Sequence, residues 1–64
     1  MNRSLVDYLP DWRAAKTAAE RCAIAASAAA EGEIGIAAYL ADAVTKIHGS
    51  DAGRRAERMV EAAS

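Results

Sequence analysis

Residues 14–30 read AAKTAAERCAIAASAAA, ten alanines in seventeen positions, and no other stretch constrains the fold as strongly. Alanine is the best helix former because it loses no side-chain entropy on ordering, yet it buries too little area to hold a fold by itself. Such a run makes a helix whose face is built for close approach to another helix. Its alanines supply no nucleophile, acid, base or ligand, so the run points to packing and not to catalysis.

At 64 residues the chain makes one domain, residues 1–64, and one small enough to be marginally stable without a disulfide, a metal or a partner subunit. Large apolar residues are few and Phe is absent. Cys22 is the only cysteine, which excludes an intramolecular disulfide framework. The start MNRSLVDYLP places Asp7 and Pro10 close behind its single arginine, unlike a secretory signal, so the chain reads as cytosolic. The longest uncharged run, Cys22 to Ala30, is far short of the roughly 20 residues of a membrane span. A formal charge of −1 provides no general field for DNA or anionic lipid.

Pro10, Gly32, Gly35, Gly49 and Gly53 punctuate the chain, and no β-alternation competes with helical periodicity. The pattern predicts three helices, at about 8–31, 33–48 and 51–63. Asp7 is expected to cap the first, Gly32 and Gly49 to stop the first and second, and Ser50 to cap the third. Residues Met1 to Val6 are expected to fray or to lie against a partner. The expected fold is all-α, a helical hairpin with a short third helix, dimerised into a bundle.

Helical phase assigns the faces. Tyr8, Trp12, Ala15, Ala19, Cys22, Ala26 and Ala29 alternate spacings of three and four, the seam of two nearly parallel or antiparallel helices, and are expected to form a homodimer interface. Arg13, Thr17, Glu20, Ser27 and Glu31 occupy the opposite face, and Ile24 joins them out of pattern. On the second helix Ile36, Leu40, Ala43, Val44 and Ile47 form an apolar stripe. Tyr39 lies at its edge beside Asp42 and Lys46, an aromatic with a polar rim, the composition of an interface anchor. Tyr39, Ile24, Asp42 and Lys46 are therefore the candidate partner-binding residues.

Other constellations carry less. Cys22 and His48 are the only thiol and imidazole; the first lies inside the alanine seam, where a thiol acts as a small hydrophobe, and the second reads as a solvent-facing helix end. One cysteine and one histidine fall short of a zinc ligand set. Glu31 and Glu33 flank Gly32 as solvated helix-end residues, and the glycines lack the strand and Lys-Ser or Lys-Thr of a phosphate loop. No catalytic, cofactor or metal residue is assigned and no enzyme activity is expected. Arg54, Arg55 and Arg58 invite a DNA-binding reading, because the second and third helices outline a helix-turn-helix; the interleaved Glu57 and Glu61 cancel much of that patch.

In size, alanine-rich helices and lack of a catalytic motif, the chain resembles the small helical proteins by which bacteriophages and mobile elements disable a host regulator or motor, such as anti-activators of quorum sensing and inhibitors of pilus assembly. That resemblance implies non-enzymatic binding of another protein and a dimeric habit. A small DNA-binding transcriptional regulator using the third helix is the alternative, and an antitoxin-like adaptor a further one.

Overall fold

The computed structural model describes residues 3–64, and these form four α-helices and no strand: α1 (Leu5–Ala14), α2 (Ala18–Ala30), α3 (Ile34–His48) and α4 (Ser50–Ala63). The all-α expectation holds, but the long first helix divides in two at Ala15–Thr17. No glycine or proline marks that break. Thr17 begins α2 with extended backbone (φ −119°, ψ 159°). Its Oγ1 accepts from the Glu20 N–H at 3.1 Å, while the Glu20 carboxylate accepts from the N–H groups of Lys16 and Thr17. This reciprocal capping box satisfies groups that a bend would otherwise leave open. The same bonds hold the Glu20 carboxyl below its usual range.

The first helix also starts earlier than expected. Ser4 is its N-cap, and Asp7, read from sequence as the cap, sits in the first turn, where its Oδ2 accepts from the Ser4 N–H at 2.8 Å. Leu5 and Val6 belong to the helix, Ser4 caps it and Arg3 pairs with Glu31, so none of these four frays; the expectation for Met1 and Asn2 lies outside the described residues. Pro10 is inside α1, and both it and Val6, whose carbonyl loses its donor, lie on the solvent side.

At the end of α2 the Gly32 N–H donates to the Ala29 carbonyl and the Glu33 N–H to the Ala28 carbonyl, the paired bonds of a Schellman stop, with Gly32 at φ 85°. The α3 and α4 boundaries follow the sequence reading to within a residue, with Gly49 alone between the two helices; Gly49 and not Ser50 is the N-cap of α4, Ser50 being its first helical residue with no side-chain cap bond.

α2, α3 and α4 each pack against the other two, and α1 lies chiefly on α2. The Cα atoms occupy a slab 14 Å thick at its thinnest, so few side chains reach full burial. Leu40, Val44 and Cys22 are the largest that do. Alanines fill the rest: Ala25, Ala28, Ala37 and Ala56 have no exposed surface. Small side chains at these contacts let the helix axes converge. Closest of all is the α3–α4 crossing, where Gly53 lies against Thr45; a Cβ at Gly53 would stand 1.8 Å from Thr45 Oγ1 and 3.1 Å from Thr45 Cα.

Tyr8 brings α1 into this core. Its ring is buried among Ala25, Ala28, Ala29, Ala37 and Leu40, with Leu5 and Trp12 packed at the margin. Tyr8, Ala15, Cys22 and Ala29, four of the seven seam residues assigned from sequence to a dimer interface, are thus interior residues of a single chain. Trp12 and Ala26 are half-buried, and Ala19 is exposed. The seam phase is correct; what covers much of it is the chain's own α1, α3 and α4. Ile24, expected on the outward face, is half-buried and packs against the Tyr8 cluster, because α2 is enclosed by three helices and buries a wider arc than a two-helix seam would.

Candidate protein-binding surface

α3 turns its buried arc, Ala37, Leu40, Ala41 and Val44, toward the other helices. Spacings of three and four then place Ile36, Tyr39, Ala43 and Ile47 along one flank of α3. Ile36 and Ala43 are half-buried at its base, whereas Tyr39 is 60% and Ile47 53% exposed. Beside Tyr39 runs a polar ridge in which Lys46 Nζ lies 3.2 Å from Asp42 Oδ2, an i,i+4 pair in open solvent that contributes little to stability. Tyr39, Asp42 and Lys46 are therefore brought together as the sequence predicts, and Ile24 is not among them. Ile47, placed by sequence in the buried stripe, is the member of this surface that phase alone did not assign; its position a full turn past Val44, near the helix end, was the available signal.

Beyond the Asp42–Lys46 ridge, α3 and α4 enclose an open groove of about 370 Å³ with Ala38, Ala41 and Val60 as its floor and Asp42, Glu57 and Glu61 around it. The groove is acidic. It adjoins the exposed Arg54 and Arg58 of α4, Arg55 being exposed as well, and Arg54 reaches Asp51 only at 4.0 Å. A helix-turn-helix joins its helices by a turn of about three to four residues, and here the link is one residue, Gly49, so that outline is not reproduced.

Two polar clusters tether α1. At its start, Arg3 donates to both carboxylate oxygens of Glu31, at 2.8 and 3.1 Å, and stacks over the Tyr8 ring at 4.7 Å, while the Tyr8 hydroxyl donates to Glu31 Oε1. The Tyr8 and Arg3 donors hold the Glu31 carboxyl below its usual range, and the carboxylate together with burial pushes the Tyr8 hydroxyl up to about 12. At the other end, Arg21 donates to the Ala15 carbonyl at 2.9 Å, lies over the Trp12 ring, and meets His48 Nε2 at 2.9 Å. Arg21 Nε is buried with no hydrogen-bond partner. His48, expected to face solvent, is instead half-buried against Arg21.

The Cys22 thiol is fully buried and directed at the Ala52 carbonyl, 3.7 Å away, while His48 Nε2 is engaged by Arg21. The two are not joined as a nucleophile and base. Among the described residues no group of three His, Cys, Asp or Glu side chains is placed to hold a metal, and no helix is long and apolar enough to cross a membrane. Comparison with protein-family models, curated proteins and solved structures gives no match.

Proposed function

We propose that this chain is a non-enzymatic, protein-binding regulator or inhibitor, which docks its partner on the Tyr39–Ile47 flank of α3. The observation that carries this reading is the exposure of two large apolar side chains on one flank of one helix, at 60% and 53%. A single exposed apolar residue is ordinary on any protein, whereas an aromatic anchor with an aliphatic neighbour and a charged rim is the composition of an interface hot spot. The Asp42 carboxylate in the ridge beside it favours a partner segment that presents a basic residue next to its apolar side chain. A bacterial regulator or motor as target, in the manner of phage-encoded inhibitors, and action in the cytoplasm belong to the same proposal.

The test compares partner capture from bacterial lysate, and the affinity of the captured complex, for the wild type, Tyr39→Ala and Arg55→Ala. Tyr39→Ala weakens the complex by about 2 kcal/mol or more, while Arg55→Ala has the smaller effect of a rim charge. A gel shift on random duplex DNA across a salt series addresses the alternative: tight, salt-sensitive binding abolished by Arg55→Ala, with Tyr39→Ala neutral, overturns the protein-binding reading.

A further inference from the structure

α1 is joined to the rest of the molecule by a bend with no helix-breaking residue. Ala15, Lys16 and Thr17 form it, and the apolar phase of Leu5, Tyr8 and Trp12 passes through Ala15 into Ala19, Cys22, Ala26 and Ala29 without a slip. The bend removes five N–H groups, from Lys16 to Glu20, from the i→i−4 ladder, and three of them, those of Lys16, Thr17 and Glu20, find partners in the capping box. It also leaves Arg21 Nε buried and unpartnered beside the bend. A straight helix over residues 5–30 restores those ladder bonds in place of the cap, and of the three bend residues Ala15 and Lys16 are good helix formers, with Thr17 the one weaker member.

Straightening has a forced consequence. Along one continuous helix Tyr8 and Ala29 stand about 32 Å apart, at 1.5 Å per residue, whereas in the bent chain the Tyr8 ring packs on Ala29. A straight chain therefore vacates its own groove on Ala25, Ala28, Ala29, Ala37 and Leu40 and presents Leu5, Tyr8 and Trp12 to whatever fits them. The surface that fits is the same groove in another copy of this chain, complete with Glu31 for Arg3 and the Tyr8 hydroxyl.

We propose that the chain exchanges α1 between two copies, with Ala15–Thr17 as the hinge, to give a swapped homodimer in which each α1 fills the partner's α2–α3 groove. The contacts that Arg3, Tyr8 and Trp12 make outside the hinge are reproduced between chains, and the bonds exchanged are those of the hinge itself, where the cap gives way to the helical ladder, which is the low-cost route to a dimer that domain swapping provides. The Tyr39–Ile47 flank lies on α3 outside this groove, so the exchange and the docking reading stand or fall separately.

Two variants push the hinge in opposite directions. Thr17→Ala with Glu20→Ala removes the capping box and favours the straight helix. Ala18→Pro suits the first position of α2 and the extended backbone of Thr17, yet is unacceptable inside a continuous helix. Light scattering coupled to gel filtration over a concentration series is expected to give a dimer dissociation constant at least tenfold lower than wild type for the cap-less variant and at least tenfold higher for Ala18→Pro. Cross-linking identifies the exchange itself. Arg3→Cys and Glu31→Cys are carried on separate chains, each with Cys22→Ala, mixed, concentrated and treated with a short bismaleimide. A covalent heterodimer from the dimer fraction supports the exchange. A dimer without that cross-chain product, or a cap-less variant that stays folded by circular dichroism and monomeric at millimolar concentration, overturns it.

Discussion

Replacing Gly53 by alanine tests whether close helix approach, and not helix propensity, governs the stability of this fold. In an open helix the change is favourable by about 1 kcal/mol, since glycine has the greater conformational freedom to lose. Here the new Cβ would stand 1.8 Å from Thr45 Oγ1, 2.8 Å from Thr45 Cβ and 3.1 Å from Thr45 Cα. Rotating the threonine relieves only the first contact. The other two belong to the Cβ and the backbone of α3, so relief requires the two helices to part, and the packing of Ala41, Val44 and Ala56 between them loosens. Overpacking of this kind costs about 1–3 kcal/mol; with backbone involved the upper end applies, and subtracting the propensity gain leaves roughly 2 kcal/mol of net destabilisation.

For a chain of this size that corresponds to a fall in Tm of roughly 8–16 °C, read by circular dichroism at 222 nm during heating, at a fixed protein concentration because assembly adds its own stability. Gly35→Ala is the matched control. Gly35 lies near the start of α3 with nothing within 4 Å of an added Cβ, and the same chemical change there stabilises by about 0.4–1 kcal/mol. Opposite signs at the two glycines support the argument. A Gly53→Ala protein as stable as wild type or more so refutes it.

Leu40→Ala is expected to cost about 2–5 kcal/mol and to unfold much of the population, since Leu40 is one of three large side chains fully enclosed; urea denaturation checks it. The Tyr8–Glu31 contact makes stability pH-dependent at both ends of the scale. The folded-state Tyr8 hydroxyl is raised to about 12, so its contribution is complete below about pH 10 and is lost as pH rises toward 12, which a 295 nm absorbance titration of the Tyr39→Phe variant follows. The Glu31 carboxyl is lowered, so its contribution is complete above the ordinary glutamate pKa and is lost as pH falls through its folded-state value; Glu31→Gln flattens the acid limb of stability against pH. Cys22 is fully buried, so a thiol reagent reacts with it in denaturant and not in the native chain, and Cys22→Ala leaves partner binding intact.

The limits of α3 and α4 were legible because strong punctuation coincides with the end of a periodic segment, at Gly32 and at Gly49. The division of the first helix was written in the sequence too, as Thr17-Ala18-Ala19-Glu20, but that cap sits inside an alanine run whose apolar phase continues through it. Periodicity reads a bend without a slip as no bend. The same ambiguity governs the seam. Phase places Tyr8, Ala15, Cys22 and Ala29 on one face, and it is silent on whether that face meets a second chain or the chain's own helices. Tyr39 beside Asp42 and Lys46 was legible because all three lie on one helix. The contacts of Glu31 with Arg3 and Tyr8, and of His48 with Arg21, join residues more than twenty positions apart, and no local pattern encodes them.

The distribution of large apolar residues bears on function as well as on stability. Among the described residues the interior is filled chiefly with alanine, and the larger side chains it encloses are Leu40, Val44, Cys22 and the Tyr8 ring. Each further methylene buried would add about 0.8 kcal/mol, a substantial amount for so small a domain. Yet Tyr39 and Ile47 are left more than half exposed on α3, the helix that supplies Leu40 and Val44. Stability alone would place such residues inward and the alanines outward. An arrangement that keeps the interior small and the bulk outside forgoes stability in its own fold, and the outward bulk is of the kind that contributes binding energy when a partner covers it. On the proposed protein-binding reading, close alanine packing and an exposed aromatic flank are complementary: the first holds α3 against its neighbours in a short chain, and the second is the surface a partner would cover.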